Sequence, residues 1–270
     1  MSDTGIGAAV RRKEDQRFLT GRGTYVDDMN RPGQSYAAFV RSPHAHAEIK
    51  SVDTKAAEAA DGVIAVLTGA DVAADGLGGL PCGWGITSKD GNPMAEPAWP
   101  ILASGKVRYV GNMVAVVIAG TVDQARDAAA MIEVDYAVLA AVVATDGSDA
   151  GNGLVHEEAA GNVCFDWELG DKDGTDAAIA SAAHVATLEL LNNRLVPHAM
   201  EPRSAVADYE PGTDQLTLYC TSQGVHVQRL LLGAFVLQHP EHRFRVVTPD
   251  VGGGFGSKIY PYAEYAVLCW

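Results

Sequence analysis

Apolar positions along this chain recur with a strand period in some segments and a helical period in others, and the two kinds alternate. Residues 35–40 (Ser-Tyr-Ala-Ala-Phe-Val) follow a polar turn at 27–33, residues 62–68 form a buried-strand run, residues 113–119 are continuously apolar, and residues 133–139 alternate. Each predicts a strand. Helical spacing covers residues 52–60 and a segment starting near Thr121, where Asp123 stands in the first turn and Ala125, Ala128, Ala129 and Ile132 share one face. Between them, residues 76–100 are rich in Gly and Pro and carry Trp84 and Trp99; a loop of that length is expected to pack or to bind.

After a Gly-, Asp- and Asn-rich stretch at 146–161 that reads as a linker, the alternation resumes. A helix is predicted over 171–183 and a strand over 186–191; residues 192–203 carry polar residues and contain Pro197 and Pro202, which exclude a long helix. Strands follow at 203–209 and 215–221, joined by the turn Pro211-Gly212-Thr213-Asp214, then a helix from Val225 to about Gln238 with Thr221 or Ser222 placed to cap it. A strand at 242–248, the glycine stretch Gly252-Gly253-Gly254-Phe255-Gly256-Ser257-Lys258 and a helix over 262–270 complete the pattern. The fold class is therefore α+β.

The order strand, Gln223 loop, helix, strand, glycine loop places both loops at carboxyl ends of strands, provided those strands are parallel neighbours. Open sheets bind ligands at that edge. Gln223 and the backbone of Gly252–Gly256 would then share a pocket, an uncharged amide beside a row of N–H donors. Glycines let backbone approach a ligand closely, so the stretch is either a tight structural turn or a cradle for an anionic cofactor. Two familiar phosphate motifs do not fit. Ser257 precedes Lys258 and Ile259 follows it, against the nucleotide phosphate loop, and G-x-G-x-x-G fails at Ser257 or at Ile259.

Other candidate chemistry is thinner. His44 and His46 share one face of an extended chain, but a metal site needs more ligands than the sequence supplies beside them. Arg194, His198, Glu201 and Arg203 could form a site or an Arg–Glu pair in a rigid turn. His156-Glu157-Glu158-Ala159-Ala160 lacks the second His of a zinc-protease motif. Cys82, Cys164, Cys220 and Cys269 stand far apart with no C-x-x-C, so an iron–sulfur cluster or structural zinc within this chain is not expected.

The 270 residues are 47% apolar and 20% charged, ordinary for a globular protein, and carry a formal net charge of -14. That charge argues against nucleic acid and anionic membrane as partners. No apolar run is long enough to span a bilayer, and Arg11-Arg12 is followed by Lys13-Glu14-Asp15 rather than an apolar run, which points to the cytoplasm. The last helix is still building its apolar face at Leu268-Cys269-Trp270, with no Gly cap, and reads as part of a longer protein.

Several blocks in order resemble one family. Arg22-Gly23-Thr24-Tyr25-Val26-Asp27-Asp28, Arg41-Ser42-Pro43-His44-Ala45-His46, the segment Pro197 to Arg203, Thr221-Ser222-Gln223 and Pro249-Asp250-Val251-Gly252-Gly253-Gly254-Phe255-Gly256-Ser257-Lys258 are similar to the molybdenum-binding large subunit of xanthine dehydrogenases, aldehyde oxidases and aerobic carbon monoxide dehydrogenases. The resemblance implies an N-terminal arm (1–19), an α/β hammerhead domain (20–145), a linker (146–161) and the start of a molybdopterin-binding α/β domain (162–270). It implies that Gln223, Gly254, Phe255 and Gly256 face the cofactor: Gln223 hydrogen-bonds the oxo group of molybdenum, and Phe255 and Gly256 approach the metal centre through backbone N–H. No catalytic residue and no direct metal ligand is assigned within this chain.

The implied cofactor is molybdopterin, in its plain or cytosine dinucleotide form, with molybdenum. The implied reaction is hydroxylation of an aldehyde, an N-heterocycle or carbon monoxide with oxygen from water and a glutamate as base, the glutamate lying beyond position 270. Electrons would leave through an iron–sulfur subunit and an FAD subunit, in a dimer of heterotrimers when full length. Purine hydroxylases of the family carry Glu after the motif Lys, whereas Ile259 stands here, away from a purine substrate. The alternative is a non-catalytic assembly module of the same fold.

Overall fold

The computed structural model describes residues 5–149 and 153–270; residues 1–4 of the expected arm and 150–152 of the expected linker lie outside them. In chain order the elements are α1 (Asp15–Leu19), β1 (Tyr36–Arg41), β2 (Ala47–Asp53), α2 (Lys55–Glu58), β3 (Val63–Thr68), α3 (Gly69–Ala74), β4 (Lys106–Val107), β5 (Met113–Ala119), α4 (Val122–Ala129) and β6 (Glu133–Val138). The second half adds α5 (Lys172–Ser181), β7 (Ala205–Glu210), β8 (Gln215–Cys220), α6 (Val225–Leu230), β9 (Phe244–Val247) and α7 (Ala263–Cys269). They build three three-stranded sheets, ordered β1-β5-β3, β4-β2-β6 and β7-β8-β9.

The continuous apolar run of β5 has a physical cause: it is the central strand of its sheet, and six of its seven residues are buried. The helix after it starts as expected, with Thr121 Oγ1 accepting from the Gln124 N–H at 3.2 Å.

Two expectations fail for reasons that lie outside local sequence. Residues 52–60 are not one helix: 47–53 form β2, paired with β6, and only the four residues of α2 are helical. A register shift between Ile49 and Ser51 interrupts the alternation that would have marked the strand. Residues 186–191 form no strand among the described residues, and Leu188, Leu190 and Leu191 are 77–85% exposed. Alternation becomes a strand only when another backbone pairs with it. The helix from Val225 does reach residue 237, but α6 passes into wider π-type turns at Leu231–Leu237 and stops at Gln238 in the left-handed region (φ 52°).

One core serves both halves. Val72, Leu80, Ile101, Leu102, Met113 and Val116 pack with Leu216, Leu218, Leu232, Val236, Phe244 and Tyr265. The long loop at 76–100 contributes through packing at its start: Gly78 N–H donates to Val236 O at 2.9 Å and Leu80 is buried, while Trp84 is exposed. Burial of this apolar surface holds the glycine loop's two supporting strands against the first half of the chain.

Candidate functional site

β8 and β9 are parallel neighbours, with Leu216 to Tyr219 in register with Phe244 to Val247. Their carboxyl ends therefore lie side by side, and Thr248 Oγ1 ties them by donating to Cys220 O at 2.8 Å. From one end leaves Thr221-Ser222-Gln223, from the other the glycine loop. Thr221 and Ser222 are buried, but neither caps α6 as expected: its N-cap is Gly224, with no side-chain cap hydrogen bond, and Ser222 Oγ instead accepts from Gly224 N–H at 3.0 Å in the turn before the helix.

The Gln223 amide closes the loop. Its backbone N–H donates to Lys258 O at 2.9 Å, and its Oε1 accepts from Gly256 N–H at 3.0 Å and Lys258 N–H at 3.2 Å. Two N–H donors can meet only the carbonyl side of the amide, so Nε2 points the other way and has no partner among the described residues. Gly254 runs directly beneath this side chain: a Cβ there would fall on Gln223 Cδ and Oε1. Phe255 occupies the left-handed region (φ 52°) with its ring 73% exposed, a conformation costing a non-glycine residue about 1 kcal/mol. Gly253 (φ 95°) and Gly256 (φ 86°) flank it in conformations that suit glycine. The N–H groups of Gly253, Gly254 and Phe255 have no partner among the described residues. Gly256 N–H, by contrast, is turned inward to Gln223.

Both flanks of the loop are anchored. Arg17 grips the Asp250 carboxylate with both Nη atoms, Nη2 to Oδ1 at 2.6 Å, and Thr24 N–H donates to the same carboxylate at 2.8 Å. Gly252 N–H donates to Glu201 Oε2 at 2.6 Å, and the buried Lys258 Nζ donates to that oxygen at 2.8 Å. Gln228, fully buried, donates from Nε2 to Ile259 O and Tyr260 O. α7 does not start directly behind the glycines: Pro261 and an extended Tyr262 intervene, so its first-turn amides are not part of the loop. Proline lacks an N–H and biases the residue before it away from the helix, which delays the start.

The other candidates separate. Of Arg194, His198, Glu201 and Arg203, Glu201 pairs with the loop through Lys258 rather than an arginine, and Arg203 lies over the Tyr262 ring at 3.4 Å; Arg194 and His198 are exposed. His46 is buried with Nδ1 at 2.9 Å from Ala140 O, and His44 packs edge-on against Tyr136. No group of three metal-ligating side chains occurs among the described residues, and no helix among them is long and apolar enough to cross a membrane. Burial pushes the Cys220 thiol, next to the site, up to about 12, so the free side chain stays protonated near neutral pH. Sequence reasoning missed Arg17, Gln228 and Lys258 as loop anchors, because only their partners, 233, 31 and 57 residues away, give them that role.

The Arg17 clamp carries a pH dependence. Hydrogen bonds from Arg17 and from Thr24 N–H hold the Asp250 carboxyl below the ordinary value of 3.8. A depressed carboxyl contributes stability that is present above about pH 4 and lost as pH falls through the lowered value. Protection of the Thr24 amide against hydrogen exchange should therefore fall on acidification below pH 4, and Asp250→Asn should have that protection already weakened at pH 7 with little further change in acid. Equal acid response in both proteins would refute the clamp.

Similarity to known proteins covers both halves of the chain. Residues 20–140 match the family model described as aldehyde oxidase and xanthine dehydrogenase, a/b hammerhead domain, and residues 155–270 match the molybdopterin cofactor-binding domain. The chain is 37% identical to the carbon monoxide dehydrogenase large chain of Afipia carboxidovorans, over 97% of this chain and 32% of that one. It is 36% identical to the nicotine 6-hydroxylase large subunit of Paenarthrobacter nicotinovorans, over 97% of this chain and 31% of the relative. A crystal structure of quinoline 2-oxidoreductase from Pseudomonas putida 86 superposes with a TM-score of 0.84 at 38% identity, covering 98% of this chain and 33% of that one. The chain thus spans about a third of the length of the curated relatives it matches. With a hammerhead domain followed by a molybdopterin cofactor-binding domain, it belongs to the aldehyde oxidase and xanthine dehydrogenase family of molybdopterin-binding large subunits.

Proposed function

We propose that the chain forms one wall of a molybdenum cofactor site in the large subunit of a molybdenum hydroxylase. The observation that carries this is a fixed Gln223 amide, its Nε2 turned away from the donors that hold Oε1, beside a loop in which the amides of Gly253, Gly254 and Phe255 have no partner among the described residues. These are uncharged donors, the set that suits an oxygen-rich anionic group without placing a countercharge on it. Gln223, Gly254 and Phe255 face the cofactor in this reading, and Gly256, whose N–H is spent on Gln223, supports them from behind. Gln223 presents an N–H to an oxygen acceptor, Gly254 and Phe255 offer backbone N–H, and Gly256 holds the Gln223 carbonyl so that its amide cannot rotate. Exposure of Phe255 leaves its ring to cover the group once bound.

A bound molybdopterin with molybdenum supplies two-electron oxidation chemistry that takes its oxygen from water. This chain's part is to orient that group; we assign it no acid, base or nucleophile. The cofactor is read as molybdopterin or its cytosine dinucleotide form, and the substrate as an aldehyde, an N-heterocycle or carbon monoxide. An iron–sulfur subunit and an FAD subunit accept the electrons, in a dimer of heterotrimers. The domain limits are read as 20–145 for the hammerhead and 162–270 for the cofactor-binding domain, with an arm and a linker at 1–19 and 146–161. Exposed free thiols at Cys82 and Cys164 suit the reducing cytoplasm as the working compartment.

Metal analysis of the whole protein purified from its own cells tests the reading. About one molybdenum per large subunit is expected, and Gln223→Ala should lower turnover on the order of 10- to 100-fold with the fold retained, as loss of an orienting hydrogen bond beside a metal does. Absence of molybdenum, or full turnover in the variant, would sink it.

A further inference from the structure

Lys258 touches both Gln223 and Glu201. Its backbone N–H and C=O hold the Gln223 side chain and backbone, at 3.2 and 2.9 Å, while its Nζ reaches the other way to Glu201, 2.8 Å from Oε2 and 2.9 Å from the backbone O. Glu201 Oε2 also accepts from Gly252 N–H at 2.6 Å, so a single carboxylate oxygen grips the loop at its entry and at its exit. We infer that the Glu201–Lys258 pair sets the aim of the Gln223 amide, which makes both of them positioning residues for the cofactor; this rests on the reading given above.

Two arguments favour aim over stability as the role of the pair. First, it is almost completely enclosed, Lys258 at 2% and Glu201 at 12% side-chain exposure. Enclosed ion pairs usually add little to stability, because desolvation offsets their attraction, and apolar replacements of similar volume are often as stable. Second, Glu201 Oε1 is buried with no partner among the described residues, a further cost that a purely stabilising contact would not carry. What the pair does supply is direction, because Oε2 has to satisfy a backbone amide and an ammonium together. Gly252 makes room for it: a Cβ there would collide with Glu201 Cβ. The same contacts remove Lys258 as an anion ligand, since Nζ is spent on Glu201 and the side chain is buried. This lysine therefore differs in kind from one that grips a phosphate.

The test uses the whole protein with its cofactor. Glu201→Gln keeps volume and an acceptor, and the Glu201→Gln/Lys258→Met double variant leaves no buried charge, so a folded protein remains available if the single variant fails. In the folded variant, exchange of the Gly256 and Lys258 amides, the two donors to Gln223 Oε1, should speed about tenfold relative to amides in β8, the effect of weakening one net hydrogen bond. The paramagnetic signature of the molybdenum centre should change as it does in Gln223→Ala. Adding Glu201→Gln to Gln223→Ala should bring little further change, since residues acting through one another are not additive. Unaltered exchange at those two amides, or fully additive effects, would overturn the inference. A wild-type protein without molybdenum would sink the functional reading, while the exchange measurement would still decide whether the pair holds Gln223.

Discussion

Gly254→Ala is expected to leave the protein folded and to lose the aimed amide of Gln223. Gly254 has no positive φ, so the obstacle is space alone: an added Cβ lands on Gln223 Cδ and Oε1 and within 2.7 Å of Cγ. Backbone at residue 254 is held by its neighbours, whereas Gln223 is an exposed side chain that can swing away. The swing breaks its bonds from Gly256 and Lys258 N–H. Two such bonds at an exposed side chain lie at the low end of the usual range and together contribute about 1 kcal/mol to stability. The melting temperature should fall by only a few degrees, because a chain of this size loses roughly 2–4 °C per kcal/mol. Function should suffer far more, on the order of 10- to 100-fold in turnover, with altered spectra of the metal centre. Thermal melting and turnover measured on the same preparation separate the two effects. Wild-type turnover in Gly254→Ala would show that Gln223 does not need its present orientation.

Gly78→Ala should do the opposite, damaging the fold rather than the site alone. A Cβ on Gly78 would lie far inside van der Waals contact distance of Phe235 O and 3.0 Å from Phe235 C, and both belong to the backbone of the π-type turns after α6. Neither can move without carrying Val236, a fully buried core residue whose carbonyl accepts from Gly78 N–H. Overpacking against rigid neighbours costs about 1–3 kcal/mol, and more where backbone is the obstacle. A drop of roughly 5–10 °C in melting temperature follows for a chain of this length. Gly83→Ala, where the new Cβ would meet only Leu231 Cδ1 at 3.9 Å, should be close to neutral and serves as the control. Equal melting of the two variants would mean that the loop at 76–80 is not clamped between the halves.

Much of this was legible along the chain because it rests on short-range periodicity. β5 announced itself by an apolar run that only a central strand tolerates, α4 by Thr121 and the alanine face behind it, and the parallel β8–β9 pair by the helix between two strands. That pair is what brought Gln223 and the glycine loop together, as the order of elements predicts. β2 was hidden by the shift between Ile49 and Ser51, which moves the pattern to the other face midway. The alternation at 186–191 misled in the opposite direction, since those leucines have the composition of a strand and no neighbour among the described residues to make one.

Sequence by itself determined the α+β class, most of the strands and helices, and the glycine loop with its resemblance to molybdopterin-binding subunits, because spacing and turn chemistry are local properties of the chain. Tertiary structure alone decided that Lys258 is buried against Glu201 rather than free for an anion, that Arg17 clamps Asp250 across 233 positions, and that Gln223 turns its oxygen inward and its nitrogen out. Charge and amide groups carry no mark of their partner in the sequence; burial and the nearest opposite group, set only when distant segments meet, assign them their roles.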